Sequence, residues 1–168
     1  NYINSQHIKQ KPLDEIAKMC IPYLIKAGFI TENDAKAKFD RLKKIVKSVY
    51  EGLDYLSQIV DRVDVFFEND IKIEEEEAKQ VIKWEHVKDL IHIFEDKLTQ
   101  TDELTTDKIK AMFKEIQKQT GYKGKNLFMP LRVAITGKTH GPELVEIIEI
   151  VGKENILKRL ELFKKWYN

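Results

Sequence analysis

Cysteine is nearly absent: Cys20 is the single thiol among 168 residues, which excludes a disulfide framework within one chain. Its place in an apolar helical pattern marks it as a buried, inert thiol rather than a nucleophile. No apolar run approaches the roughly 18 residues that would suggest a membrane span, and no secretory leader opens the chain. A cytoplasmic protein is the expectation, and a first residue of Asn1 rather than Met points to a piece of a longer chain. The common chemical signatures are missing as well. There is no G-x-x-x-x-G-K-[ST] or G-x-G-x-x-G cradle, and Gly137-Lys138-Thr139 matches only the end of a phosphate loop, without its upstream glycine and strand. No G-x-S-x-G elbow, H-E-x-x-H pair or C-x-x-C pair occurs. His86 and His92 stand six apart, off the spacing of a zinc pair, and read as surface or rim histidines. The run Glu74–Glu77 reads as a solvated helix start that suits the helix dipole, not as a metal site. No catalytic, metal or cofactor site is expected in this chain.

Excess charge of one sign is lacking too, since the net charge is only +1. It is unevenly spread. Residues 108–168 carry 13 Lys+Arg against 6 Asp+Glu, and residues 1–107 carry 16 against 22. That asymmetry suggests a polyanion partner for the C-terminal part. The competing reading is a helical protein-interaction domain whose basic C-terminal face meets an acidic partner.

What is present is helical periodicity. Pro12 opens a helix with Leu13, Ile16, Ala17, Cys20, Leu24 and Ile25 at three- and four-residue steps. Pro22 should kink or break it near Ile21, and Gly28 should stop it. Thr31 or Asn33 caps the next helix, with Phe39, Leu42, Val46 and Val49 on one face. A third follows Gly52, with Leu53, Leu56, Val60 and Val63 inward. Val65-Phe66-Phe67 also reads as a strand, and Glu68-Asn69-Asp70 marks a boundary between subdomains 1–69 and 70–168. Beyond it, Trp84, Val87, Leu90, Ile91, Phe94 and Leu98 form an amphipathic helix. Thr105 or Thr106 caps another, carrying Ile109, Met112, Phe113 and Ile116. The last helix turns Ile156, Leu157, Leu160 and Phe163 inward, with Trp166 as a further candidate, and Lys158, Arg159, Lys164 and Lys165 outward. No sustained period-two alternation appears. The expected fold class is all-α, with two small helical subdomains.

Punctuation concentrates between Gly121 and Arg159, which hold five of the seven glycines and two of the four prolines. Proline favours the first helical position and glycine the position just past the last. Pro130 to Gly137 and Pro142 to Gly152 therefore each read as a short helix. Before them lies a loop with Lys123 and Lys125, and between them a polar turn, Gly137-Lys138-Thr139-His140-Gly141. A basic loop and a basic turn, held by short helices, suit an anionic partner.

The run from Leu127-Phe128-Met129-Pro130-Leu131-Arg132 to Gly137, then His140-Gly141-Pro142-Glu143-Leu144 and Gly152-Lys153-Glu154, resembles the C-terminal signature of bacterial-type glutamyl-tRNA synthetases over about 35 residues. Asn4-Ser5-Gln6-His7-Ile8-Lys9 is similar to that family's N-G-Q-Y-I-R segment and departs from it at Ser5 and His7. The resemblance implies the anticodon-binding region alone, an α-helical cage of the class I aminoacyl-tRNA synthetase type, because both ATP-site motifs of the family are missing. It implies catalytic domains N-terminal to this region, which use ATP and Mg to attach glutamate to tRNA(Glu). It implies that Arg132, Gly141, Pro142 and Leu144 approach the first two anticodon bases. Lys123, Lys125 and Lys138 are the candidate phosphate contacts, positioning rather than specifying. An arginine fork suits base edges, N–H groups at a helix start favour acceptors, and Leu144 offers either an apolar surface to a splayed base or a core side chain. One departure stands out. Aligning Asp54-Tyr55-Leu56 with a K-T-L-like segment places Gly52 where relatives strict for tRNA(Glu) carry an arginine beside the third base. Glycine has no donor there, which points to an enzyme that also accepts tRNA(Gln); the other reading of Gly52 is a plain helix terminator.

Overall fold

A computed structural model describes residues 5–167. The segment similar to N-G-Q-Y-I-R rests on Asn4 and on the side chains of residues 5–7, which lie outside the described residues. No strand forms among the described residues, and the chain is all-α. It divides into two compact units, 1–67 and 68–168. The division thus falls two residues before the expected one, because Asn69 hydrogen-bonds Asn155 and Arg159 within the second unit.

The first unit contains α1 (Ser5–Gln10), α2 (Leu13–Lys26), α3 (Glu32–Ala37), α4 (Phe39–Val49) and α5 (Ile59–Val63). Helix α2 packs on α4 and α5. Ile16, Ala17, Cys20 and Leu24 meet Leu42, Ile45, Val46, Ile59 and Val63, all buried. This apolar surrounding pushes the Cys20 thiol up from 9.0 to about 12, so it stays protonated and inert. Pro22 does not break α2. It denies a partner to the Lys18 carbonyl, but both residues face solvent, where water replaces the bond. Thr31 is the cap, in a reciprocal box with Asp34: each side chain accepts the other's backbone N–H at 3.0 Å. Those hydrogen bonds hold the Asp34 carboxyl below its ordinary value.

Three expectations change in this unit. The helix capped by Thr31 ends at Ala37, and a second begins at Phe39 across Lys38, whose φ of −121° and ψ of 34° leave the helical region. The segment after Gly52 is a short 3-10 turn running into α5, with Val60 only half-buried. Residues Asp64–Phe66 form a 3-10 turn instead of a strand. Phe67 stacks on Phe29 with ring centroids 5.1 Å apart, and Arg41 lies over its ring while donating to the Phe66 carbonyl.

The second unit contains α6 (Glu76–Ile82), α7 (Val87–Gln100), α8 (Thr106–Thr120), α9 (Lys125–Thr136), α10 (Leu144–Val151) and α11 (Lys153–Phe163). Helix α9 is its centre, packing on α6, α7 and α11, while α8 packs on α10. The run Val133–Thr136 of α9 is buried throughout. Thr105 caps α8 by accepting from the Lys108 N–H, and Gly121 ends it. Lys153, at the first position of α11, donates to the Thr99 and Thr101 carbonyls at 2.9 and 2.8 Å. It satisfies carbonyl groups that α7 leaves open at its end.

The last helix corrects two orientations. Arg159 faces inward, not outward: it is 1% exposed. Its Nε donates to Asn69 Oδ1 and its Nη1 to the Ile135 carbonyl, both at 3.0 Å. Trp166 is 40% exposed, because α11 gives way to a 3-10 turn after Phe163 and the register changes.

Candidate nucleic-acid interface

Helix α9 starts at Lys125, five residues before Pro130. Pro130 is therefore interior and cannot donate to the carbonyl of Asn126, four residues earlier. His86 supplies the missing donor, with Nε2 2.7 Å from Asn126 O. A carbonyl only accepts, so Nε2 carries the proton. The His86 ring lies between Trp84 and Tyr122, at centroid distances of 6.0 and 4.6 Å. The Tyr122 hydroxyl donates to Asp89 at 3.0 Å, which raises its pKa. These contacts hold the start of α9, where Lys123 on the preceding loop and Lys125 at the first helical position stand exposed.

The far end of α9 runs into a turn tied at several points. Thr136 Oγ1 donates to the Arg132 carbonyl at 2.8 Å and accepts from the Lys138 N–H at 3.1 Å. Gly137 adopts φ +75°, and a Cβ there would sit 2.3 Å from the Lys72 carbonyl oxygen. Only glycine fits both the conformation and the space. Thr139 is buried and donates to Glu75 Oε2 at 3.2 Å. Glu75 is therefore more than part of a solvated helix start. Gly141 has φ +154°, again suited to glycine. Arg132 Nη1 donates to the Pro142 carbonyl at 2.9 Å. Partial burial lowers the Arg132 pKa, against the opposing effect of Glu143, and the guanidinium stays charged. The bond to Pro142 uses one of its five donors.

The structure thus brings Arg132, Lys138, Gly141 and Pro142 into one turn. Helix α10 begins at Leu144 rather than Pro142, with Glu143 as its N-cap. The Leu144 side chain is 5% exposed and packs as a core side chain. What remains at the surface side is the start of α10, whose first N–H groups have no partner within the helix. Lys123 and Lys125 lie at the opposite end of α9. Gly52 belongs to the first unit, at the end of the 3-10 turn Tyr50–Gly52. It is exposed and has no positive φ, and a Cβ would meet only the tip of Arg62, at 3.4 Å. The backbone does not demand glycine at this position.

Sequence reasoning missed Arg159, His86 and the Thr139–Glu75 bond. A signal for Arg159 existed. Ile156, Arg159, Leu160 and Phe163 follow the i, i+3, i+4, i+7 pattern of an inward face, but its charge argued the other way. For His86 the signal was Pro130, once that residue is known to be interior.

Two helical units, one carrying a backbone-braced turn with Lys138 beside Arg132, define an all-α domain. The chain belongs to the anticodon binding domain family, whose family model matches residues 15–163. It is 76% identical over its full length to glutamate–tRNA ligase 1 of Caldicellulosiruptor saccharolyticus, covering 35% of that protein. It is 42% identical over 95% of its length to the glutamate–tRNA ligase of Bacillus licheniformis, covering 33% of it. The chain therefore spans about a third of the length of these curated relatives. Among solved structures, a glutamate tRNA ligase from Elizabethkingia meningosepticum superimposes with a TM-score of 0.81 at 18% identity, over 96% of this chain and 31% of that one. At that identity the likeness speaks for the fold. Among the described residues no group of three or more His, Cys, Asp or Glu is placed to hold a metal ion. No helix among them is long and apolar enough to cross a membrane.

Proposed function

We propose that this chain is the anticodon-binding part of a glutamate–tRNA ligase. The remainder of that enzyme, N-terminal to this region, uses ATP and Mg to attach glutamate to tRNA(Glu) in the cytoplasm. The observation that carries the reading is the Arg132–Pro142 bond. It joins the arginine of the P-L-R run to the Gly141-Pro142 turn in a family named for anticodon binding. Arg132 keeps donors for the edge of an unstacked base, the way single-stranded loops are read. The turn places the Gly141-Pro142 backbone and the open N–H groups of α10 beside it. Lys123, Lys125 and Lys138 contact phosphates, positioning the RNA without specifying it.

Full-length enzyme carrying Arg132→Ala tests this. The KM for tRNA(Glu) should rise roughly tenfold or more, the discrimination of a good bidentate contact. Arg132→Lys should recover little, because it keeps the charge and loses the fork. An Arg132→Ala enzyme with unchanged KM and kcat would show that Arg132 does not read a base.

We also propose that the enzyme accepts tRNA(Gln). Gly52 offers no side-chain donor at the position assigned to the third base, and no backbone constraint accounts for the glycine. Glutamate charging of tRNA(Gln) transcripts by full-length enzyme measures this directly. Negligible charging of every tRNA(Gln) isoacceptor defeats it.

A further inference from the structure

Phe128 is 40% exposed in a helix whose other large apolar side chains are mostly inside. Helical neighbours lie three and four residues apart. Phe128 therefore shares one stripe of α9 with Lys125, three residues before it, and Arg132, four after it. The stripe reads cation, aromatic, guanidinium. Phe128 is also held in place. Its ring meets Phe113 of α8 edge to face, with centroids 5.3 Å apart and planes at 87°, and Phe113 is itself buried and packed against Phe94. A ring fixed on one side and open on the other is costly to leave in water. It is also pre-organised to accept a flat partner.

We propose that Phe128 is a stacking platform for an unpaired base, a contact that holds the RNA in front of Arg132. This rests on the anticodon-reading role of Arg132 and extends it by one helical turn. Aromatic side chains set in a basic surface bind single strands by stacking, and the contact tolerates any base because every base has a π-face. Phe128 therefore contributes affinity and positioning, while Arg132 reads the base edge. Lys125, at the next position of the stripe, meets the backbone phosphate.

The test uses full-length enzyme and tRNA(Glu) carrying 2-aminopurine at each anticodon-loop position in turn. Wild type should quench the fluorescence at one position through stacking. Phe128→Leu keeps apolar volume against Phe113 but has no ring. It should abolish that quench and raise the KM for tRNA about tenfold, with kcat and the melting temperature little changed. Phe128→Tyr should restore both quench and KM. If Phe128→Leu quenches and binds as wild type does, Phe128 is not a stacking platform. Arg132→Ala, run in parallel, separates the two ideas. An Arg132→Ala enzyme with normal KM removes the reading beneath the proposal. A raised KM in Arg132→Ala alongside a wild-type Phe128→Leu removes the stacking platform alone.

Discussion

Gly137 and Gly52 show how differently two glycines are constrained. At Gly137 a side chain would enter the Lys72 carbonyl at 2.3 Å, on a backbone at φ +75°. Gly137→Ala should cost several kcal/mol, about the sum of a left-handed alanine and a forced backbone shift, measured by chemical denaturation. At Gly52 neither condition applies, and Gly52→Ala should leave the unfolding free energy within about 0.5 kcal/mol of wild type. A large loss at Gly52 would mean that its backbone is under a constraint absent from the structure. Arg132 was legible in the sequence as part of a motif. Its partner was not, because nothing in the order of residues says which donor of a guanidinium turns to a carbonyl ten residues on. Arg159 was misread for a related reason. Charge is a good guide to exposure on average, but a guanidinium satisfied by Asn69 and Ile135 can be buried.

Helix α9 carries the candidate site, and its boundaries matter more than those of any other element. Proline is usually an opening residue, so Pro130 invited a start too late in the chain. The cost of an interior proline is met by a donor from a distant segment, His86. That coupling is measurable. His86→Phe should destabilise the protein by about 1 kcal/mol, since Asn126 O loses its donor. Pro130→Ala supplies a backbone N–H to the same carbonyl. In the double variant the penalty of His86→Phe should shrink, and a double-mutant cycle in urea reads the difference. Additive effects would show that the two residues act independently. The caps behaved as local chemistry requires: Thr31 and Thr105 accept the N–H groups their sequences place three residues on.

Across the whole molecule the charge asymmetry needs a structural correction. Residues 108–168 are basic by count, but several of those cations are engaged internally. Lys164 pairs with Glu95 and Glu161, Lys165 with Asp70, Lys153 caps α7 and Arg159 is buried. Lys123, on the loop before α9, and Lys125, its first residue, are exposed. If they contact phosphates, each Lys→Ala change in full-length enzyme should lower the slope of log affinity against log salt by about 0.7. Fluorescence anisotropy with labelled tRNA between low and moderate salt would report it. An unchanged slope for both would remove them from the interface. The all-α class, the caps and the inward stripes followed from the order of residues, because helical period and N-terminal capping involve neighbours three or four positions apart. The long-range polar contacts did not. Asn69 to Arg159, Thr139 to Glu75 and His86 to Asn126 join residues 90, 64 and 40 positions apart. Buried polar groups must find partners somewhere, and only the packed chain decides which distant segment supplies them.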